Sequence, residues 1–133
     1  MNYKLIDIKI RGDERGNLVV FEKGENCPFE IRRTYCIFGV SENTERGFHA
    51  HKKLEQIAVC LAGSCDFVMD DGKTQKTFHL NSCKKGLLIP SKCWHYMKNF
   101  SKDCVLLVLA SEHYDENDYI RNYQDYLESV KNG

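Results

Sequence analysis

The stretch RGFHAHKKLEQIAVCLAG, Arg46 to Gly63, sets two histidines one residue apart and then turns apolar up to a glycine. In an extended strand, residues i and i+2 project from the same face with Cα atoms about 6.5–7 Å apart. His49 and His51 therefore point together. Carried onward, the same parity adds Glu55, Ile57, Val59 and Leu61. Two imidazoles and a carboxylate above a layer of aliphatics have the make-up of a pocket floor, provided no bulge near Gly47 breaks the alternation. Such a pair can bind a metal, move protons or stand on a surface strand without a role.

The rest of the chain reads as strands around this one. YKLIDIKI alternates, LVVFE is short and apolar, and RRTYCIFGV is β-branched and aromatic. SCDFVMDDGKTQKTFHL folds at Asp71-Gly72, a strong hairpin signal. GLLIP, WHYMKNF and CVLLVLASE complete the series. Many short strands punctuated by turns predict an all-β sandwich or barrel. From Asp115 the pattern changes: Tyr119, Ile120, Tyr123, Tyr126, Leu127 and Val130 share one helical face. A helix over about residues 115–130 is expected, capped by Asp115, with its tyrosines packing on the barrel.

A second cluster, GLLIPSKCWHYMKN, holds Pro90, His95 and Asn99. With H-x-H-x-x-x-E it resembles the two motifs of cupins, the double-stranded β-helix or jelly-roll barrels. Lys92 stands where the second motif usually has glycine. In metal cupins the corresponding ligands would be His49, His51, Glu55 and His95, a donor set suited to iron, manganese, zinc or nickel.

The wider likeness is more specific. RRTYCIFGVSENTERGFHAHKKLEQIAVCLAGSCDFVMDDG, KKGLLIPSKCWHYMKNFS and VLLVLASEHYDENDYIRNYQDYL resemble the dTDP-4-keto-6-deoxyhexose 3,4-ketoisomerases over nearly the whole chain. That resemblance implies a homodimer of cupin chains acting on a dTDP-linked keto sugar with no cofactor and no metal. His49 and His51 become the acid/base pair through an enediolate, His51 being the first choice to take the C3 proton. Imidazole suits both transfers, its ordinary pKa of about 6.5 lying near working pH. Arg15, Tyr35, Arg46, His95 and Asn99 are the expected substrate contacts, arginine suiting diphosphate through its planar fork of donors. Trp94 is read as a core aromatic, and His79 and His113 as structural. Arg15-Gly16 resembles the branch giving the galacto product. The competing functions are a metal-dependent cupin dioxygenase and a non-catalytic cupin that senses a small ligand.

Composition bounds these readings. The 133 residues suit one domain, with 42% hydrophobic and 29% charged residues. Nineteen basic residues offset nineteen acidic ones, which argues against a nucleic-acid or membrane surface. No apolar run reaches the length of a membrane span. The N-terminus lacks the apolar core of a signal peptide, so a cytoplasmic location is expected. Seven cysteines, odd in number and without C-x-x-C spacing, read as reduced, mostly buried small hydrophobes.

Overall fold

The computed structural model describes residues 3–131. Two five-stranded antiparallel sheets face each other. The first runs β1 (Lys4–Asp7), β9 (Lys85–Ile89), β6 (Gln56–Ala62), β11 (Val105–Ala110) and β4 (Arg33–Phe38). The second runs β12 (Tyr119–Ile120), β5 (Arg46–His51), β10 (Trp94–Lys98), β7 (Cys65–Asp70) and β8 (Gln75–Leu80). A hairpin of β2 (Ile10–Asp13) and β3 (Gly16–Val19) stands apart from both sheets. This is the cupin barrel.

YKLIDIKI, read as one strand, is broken into β1 and β2. β1 pairs with β9 of its own chain, Lys4 opposite Leu88 and Asp7 opposite Lys85.

Strand parity fills the barrel. On β4, Arg33, Tyr35 and Ile37 are half-buried while Thr34, Cys36 and Phe38 are exposed. Central β6 is covered on both faces, so it reads as a continuous apolar run rather than an alternating one. Its Ala58 and Cys60 join Phe67, Met69, Leu87, Ile89, Leu106 and Val108 inside the barrel. Ile57 and Val59 face outward and pack beneath Cys27 and Phe29 from the β3–β4 connection. Burying a side chain such as Phe67 stabilises the fold by about 1.5–3 kcal/mol. All seven cysteines are free thiols, five of them buried.

The C-terminal segment differs from the helix expected over residues 115–130. Asp115 does cap a turn, its Oδ1 accepting the Asn117 N–H at 3.0 Å, but that turn is a single 3-10 turn, Glu116–Asp118. Tyr119 and Ile120 then form β12, opposite His51 and Ala50. The α-helix, α1, runs only Tyr123–Lys131. Asn122 precedes it, accepting the Asp125 N–H at 3.0 Å. Helical period and strand pairing competed for this segment, and backbone bonds to the edge of β5 prevailed.

Helix α1 lies against Ala50 and Trp94 through Tyr126, Leu127 and Val130. The Tyr126 ring is fully buried, and its hydroxyl donates to the carbonyls of Asp70 at 2.9 Å and Lys92 at 3.0 Å. Lys92 has φ +62°, the left-handed region that favours glycine. Its own N–H donates to the His51 carbonyl at 2.6 Å, which locks the turn beside the histidine strand.

Candidate active site

A cavity of about 410 Å³ opens between the sheets, and its wall draws on β4, β5, β6, β7, β9, β10, β11 and the C-terminal segment. The histidines arrive from two neighbouring strands. His49 and His51 come from one face of β5, as period 2 requires. A bulge precedes them: His95 pairs with His49, yet Tyr96 pairs with Gly47, leaving Phe48 as the extra residue. Phe48 has φ +62° and stacks on Tyr96 with ring centres 4.6 Å apart. The bulge lies before His49, so the parity of the pair survives. Gly47 is required here, since a Cβ on it would stand 3.0 Å from Tyr96 Cα and 3.1 Å from the His95 carbonyl oxygen. His95 comes across the ladder from β10 and sits between His49 and Met69 of β7.

The His49 ring centre lies 4.8 Å from that of His95 and 5.0 Å from that of His51, both in edge-on arrangements. One ring nitrogen from each of the three falls within 4.8 Å of the others. His95 Nδ1–H donates to the Cys93 carbonyl at 3.1 Å. A carbonyl only accepts, so the free lone pair of His95 is on Nε2. Burial brings His95 down to about 4. It also brings His49 to about 3, helped by His95, His51 and Arg121, and His51 to about 3, helped by His95, Arg33 and Arg121. At neutral pH all three rings are uncharged bases.

Glu55 does not join them. Between β5 and β6 the chain crosses from one sheet to the other, and residues 52–55 are outside any strand. The parity read through Glu55, Ile57 and Val59 is therefore reset by one: Gln56 lines the cavity and Glu55 does not. The Glu55 N–H is held by Ser111 Oγ at 2.8 Å. Burial raises the Cys27 thiol, and the Glu55 carboxylate adds to that rise. The four-ligand set of a metal cupin is thus reduced to three imidazoles, whose spacing alone could still hold a divalent cation.

Of the other expected contacts, Tyr35, Arg46 and His95 line the cavity. The Tyr35 hydroxyl donates to Gln56 Oε1 at 2.5 Å, and burial pushes it up to about 12, so it stays protonated. His51 is set deeper than His49, only 4% exposed and outside the cavity lining. Arg15 is not brought to the cavity: it stands at the tip of the β2–β3 hairpin, 86% exposed, paired with Asp13. Asn99 is not brought there either. It has φ +55° at the end of β10 and donates to Asp66 Oδ2 at 2.8 Å.

Several lining residues escaped the sequence reading: Arg33, Gln56, Tyr114, Tyr119 and Arg121. The alternation of β4 already placed Arg33 on the face of Tyr35. Arg121 is clamped by Glu116 through two bonds of 2.7 and 2.9 Å and lies 4.1 Å over the Tyr119 ring. Arg33 sits 5.2 Å from the centre of the Tyr35 ring. Three guanidiniums therefore border the cavity, over walls that mix aromatic and aliphatic side chains.

Fold and cavity place the chain among the cupins, with three histidines clustered inside the barrel. The model of the family described as "WxcM-like, C-terminal" matches residues 1–131. A TDP-4-oxo-6-deoxy-alpha-D-glucose-3,4-oxoisomerase of Aneurinibacillus thermoaerophilus is 49% identical over 130 residues, 98% of this chain and 94% of that protein. A TDP-fucose-3,4-ketoisomerase of Campylobacter jejuni superposes with a TM-score of 0.96 at 42% identity, covering 99% of this chain and 98% of that one. A histidine-to-asparagine mutant of a 3,4-ketoisomerase of Thermoanaerobacterium thermosaccharolyticum, in complex with TDP-4-keto-6-deoxyglucose, gives 0.95 at 42% identity, covering 98% and 95%. The chain belongs to this family of cupin-fold sugar 3,4-ketoisomerases.

Proposed function

We propose that the protein converts dTDP-4-keto-6-deoxy-D-glucose to the 3-keto-6-deoxyhexose by proton transfer through His49 and His51, without a cofactor. The observation that carries this reading is the cluster of neutral imidazoles bordering a cavity of three arginines. His49 is assigned as the base at C3, in place of His51, because it is the member of the pair that lines the cavity. It takes the C3 proton. The C–H electron pair becomes the C3–C4 double bond, and the carbonyl pair moves onto O4. The proton of the 3-hydroxyl then passes to O4, an O3 pair forms the new carbonyl, and C4 receives a proton from the histidine pair. The intermediate is an enediolate, and no net proton or electron is gained or lost.

A low-lying base is productive only if the anion it creates is stabilised at the same moment. Tyr35, held protonated, and Arg33 are the groups placed for this. Arg46 and Arg121 suit the diphosphate, since guanidinium donors match its oxygens in pairs. The galacto configuration at C4 is read from Arg15 and Gly16 by family resemblance. A homodimer is proposed on the same resemblance. It is supported by the isolated hairpin, since two strands alone are marginal in water, and by its exposed Leu18 and Val20.

The test is incubation with dTDP-4-keto-6-deoxyglucose in the presence of a chelator, with the product followed by proton NMR. A 3-keto sugar with galacto couplings is expected. No isomerisation overturns the reading. Activity restored only by a metal returns the three imidazoles to the role of ligands.

A further inference from the structure

Asp118 faces the deeper histidine from the C-terminal segment. Its Oδ2 lies 3.6 Å from His51 Nδ1, and the two side chains are 12% and 4% exposed. His51 Nδ1 is buried and has no hydrogen-bond partner among the described residues. A buried imidazole nitrogen without a partner is costly unless something nearby favours one of its states. The carboxylate is itself fixed. Asp118 Oδ1 accepts the Lys53 N–H at 2.9 Å, Oδ2 accepts the Leu54 N–H at 3.2 Å, and the Asp118 carbonyl accepts the Lys52 N–H at 2.9 Å. Three successive amides after β5 thus bind one residue, and β12 follows it directly to pair Tyr119 with His51. The same short run sets the carboxylate at His51 and the Tyr119 ring 4.4 Å from it.

We propose that Asp118 is a positioning residue for His51, acting through its Nδ1. A carboxylate can only accept, so it selects the tautomer with hydrogen on Nδ1 and leaves the lone pair on Nε2. It also stabilises the ring whenever His51 carries a second proton during the return to C4. The short closure from 3.6 Å to hydrogen-bond distance accompanies that charge, as catalytic hydrogen bonds tighten only when the reaction demands them. This inference rests on the participation of His51 proposed above.

The test compares Asp118→Asn, His51→Asn and the double variant. Asparagine at 118 keeps one side-chain oxygen for the Lys53 N–H, gives up the second acceptor that Leu54 uses, and removes the charge. Its kcat is expected to fall about 10²-fold with KM little changed, and the loss should disappear in the His51→Asn background. A purely structural Asp118 would instead lower the melting temperature and leave kcat per folded molecule intact. If His51→Asn is inactive while Asp118→Asn stays within about twofold of wild type, the positioning role is wrong and the function stands. If His51→Asn keeps wild-type turnover, the participation of His51 is wrong, and the positioning role falls with it. Should Asp118→Asn fail to fold, nitrogen-15 NMR of the wild-type His51 ring decides. Protonated Nδ1 supports the assignment, and protonated Nε2 overturns it.

Discussion

Lowering the pH from about 7.5 to about 5.5 should destabilise the protein through the histidines its fold keeps neutral. His95 is the cleanest case, because it is enclosed, donates through Nδ1 to the Cys93 carbonyl, and is lowered by burial to about 4. In the unfolded chain the same ring titrates near 6.5. Between these two values the unfolded state binds a proton that the folded state refuses. Stability therefore rises with pH across that window and is lost as pH falls below about 6.5. Over the stated interval the linkage integrates to about 1.4 kcal/mol for this one side chain. His49 and His51, each brought down to about 3, act with the same sign. His95→Gln isolates the single contribution, since glutamine does not titrate and can still donate to the Cys93 carbonyl. Urea denaturation of both proteins at both pH values is the assay. The wild-type free energy of unfolding should fall by about 1.4 kcal/mol more than that of the variant. Equal falls would refute the claim that His95 is a neutral ring in the folded protein.

Three further outcomes are expected. His49→Asn should bind dTDP sugar normally and lose turnover by about 10²–10⁴; in deuterium oxide it should also fail to exchange the C3 hydrogen, and persistent exchange would remove His49 as the base. Gly47→Ala should disrupt the bulge, because its Cβ would meet Tyr96 Cα and the His95 carbonyl at a backbone φ of +100°; KM and kcat should both suffer, and unchanged kinetics would show that the bulge tolerates a side chain. Lys92→Gly should stabilise the fold by about 0.5–1 kcal/mol, the relief of left-handed strain outweighing the extra freedom glycine brings to the unfolded chain. A lower melting temperature in that variant would mean the lysine side chain contributes something its backbone geometry does not reveal.

Within single strands the sequence alone determined a good deal. The shared face of His49 and His51 and the hairpin at Asp71-Gly72 follow from period 2 and turn chemistry. The motif lysine at a glycine position also proved informative, since Lys92 occupies the left-handed conformation that glycine takes without strain. Asp115 was legible as a cap, but not the length of what it caps, because the 3.6-residue stripe from Tyr119 to Val130 is equally compatible with two residues diverted onto a sheet edge. Only the tertiary structure decided which residues meet in the cavity. The crossing between β5 and β6 exchanged Glu55 for Gln56, and β12 carried Asp118, Tyr119 and Arg121 to histidines more than sixty positions earlier in the chain. It also ranked two histidines that are equivalent on their strand, leaving His49 at the cavity wall and His51 buried behind it. Alternation is a property of one extended segment, dictated by the backbone's own geometry. It carries no memory across a bend, where the path is set by the bonds and packing that distant strands offer.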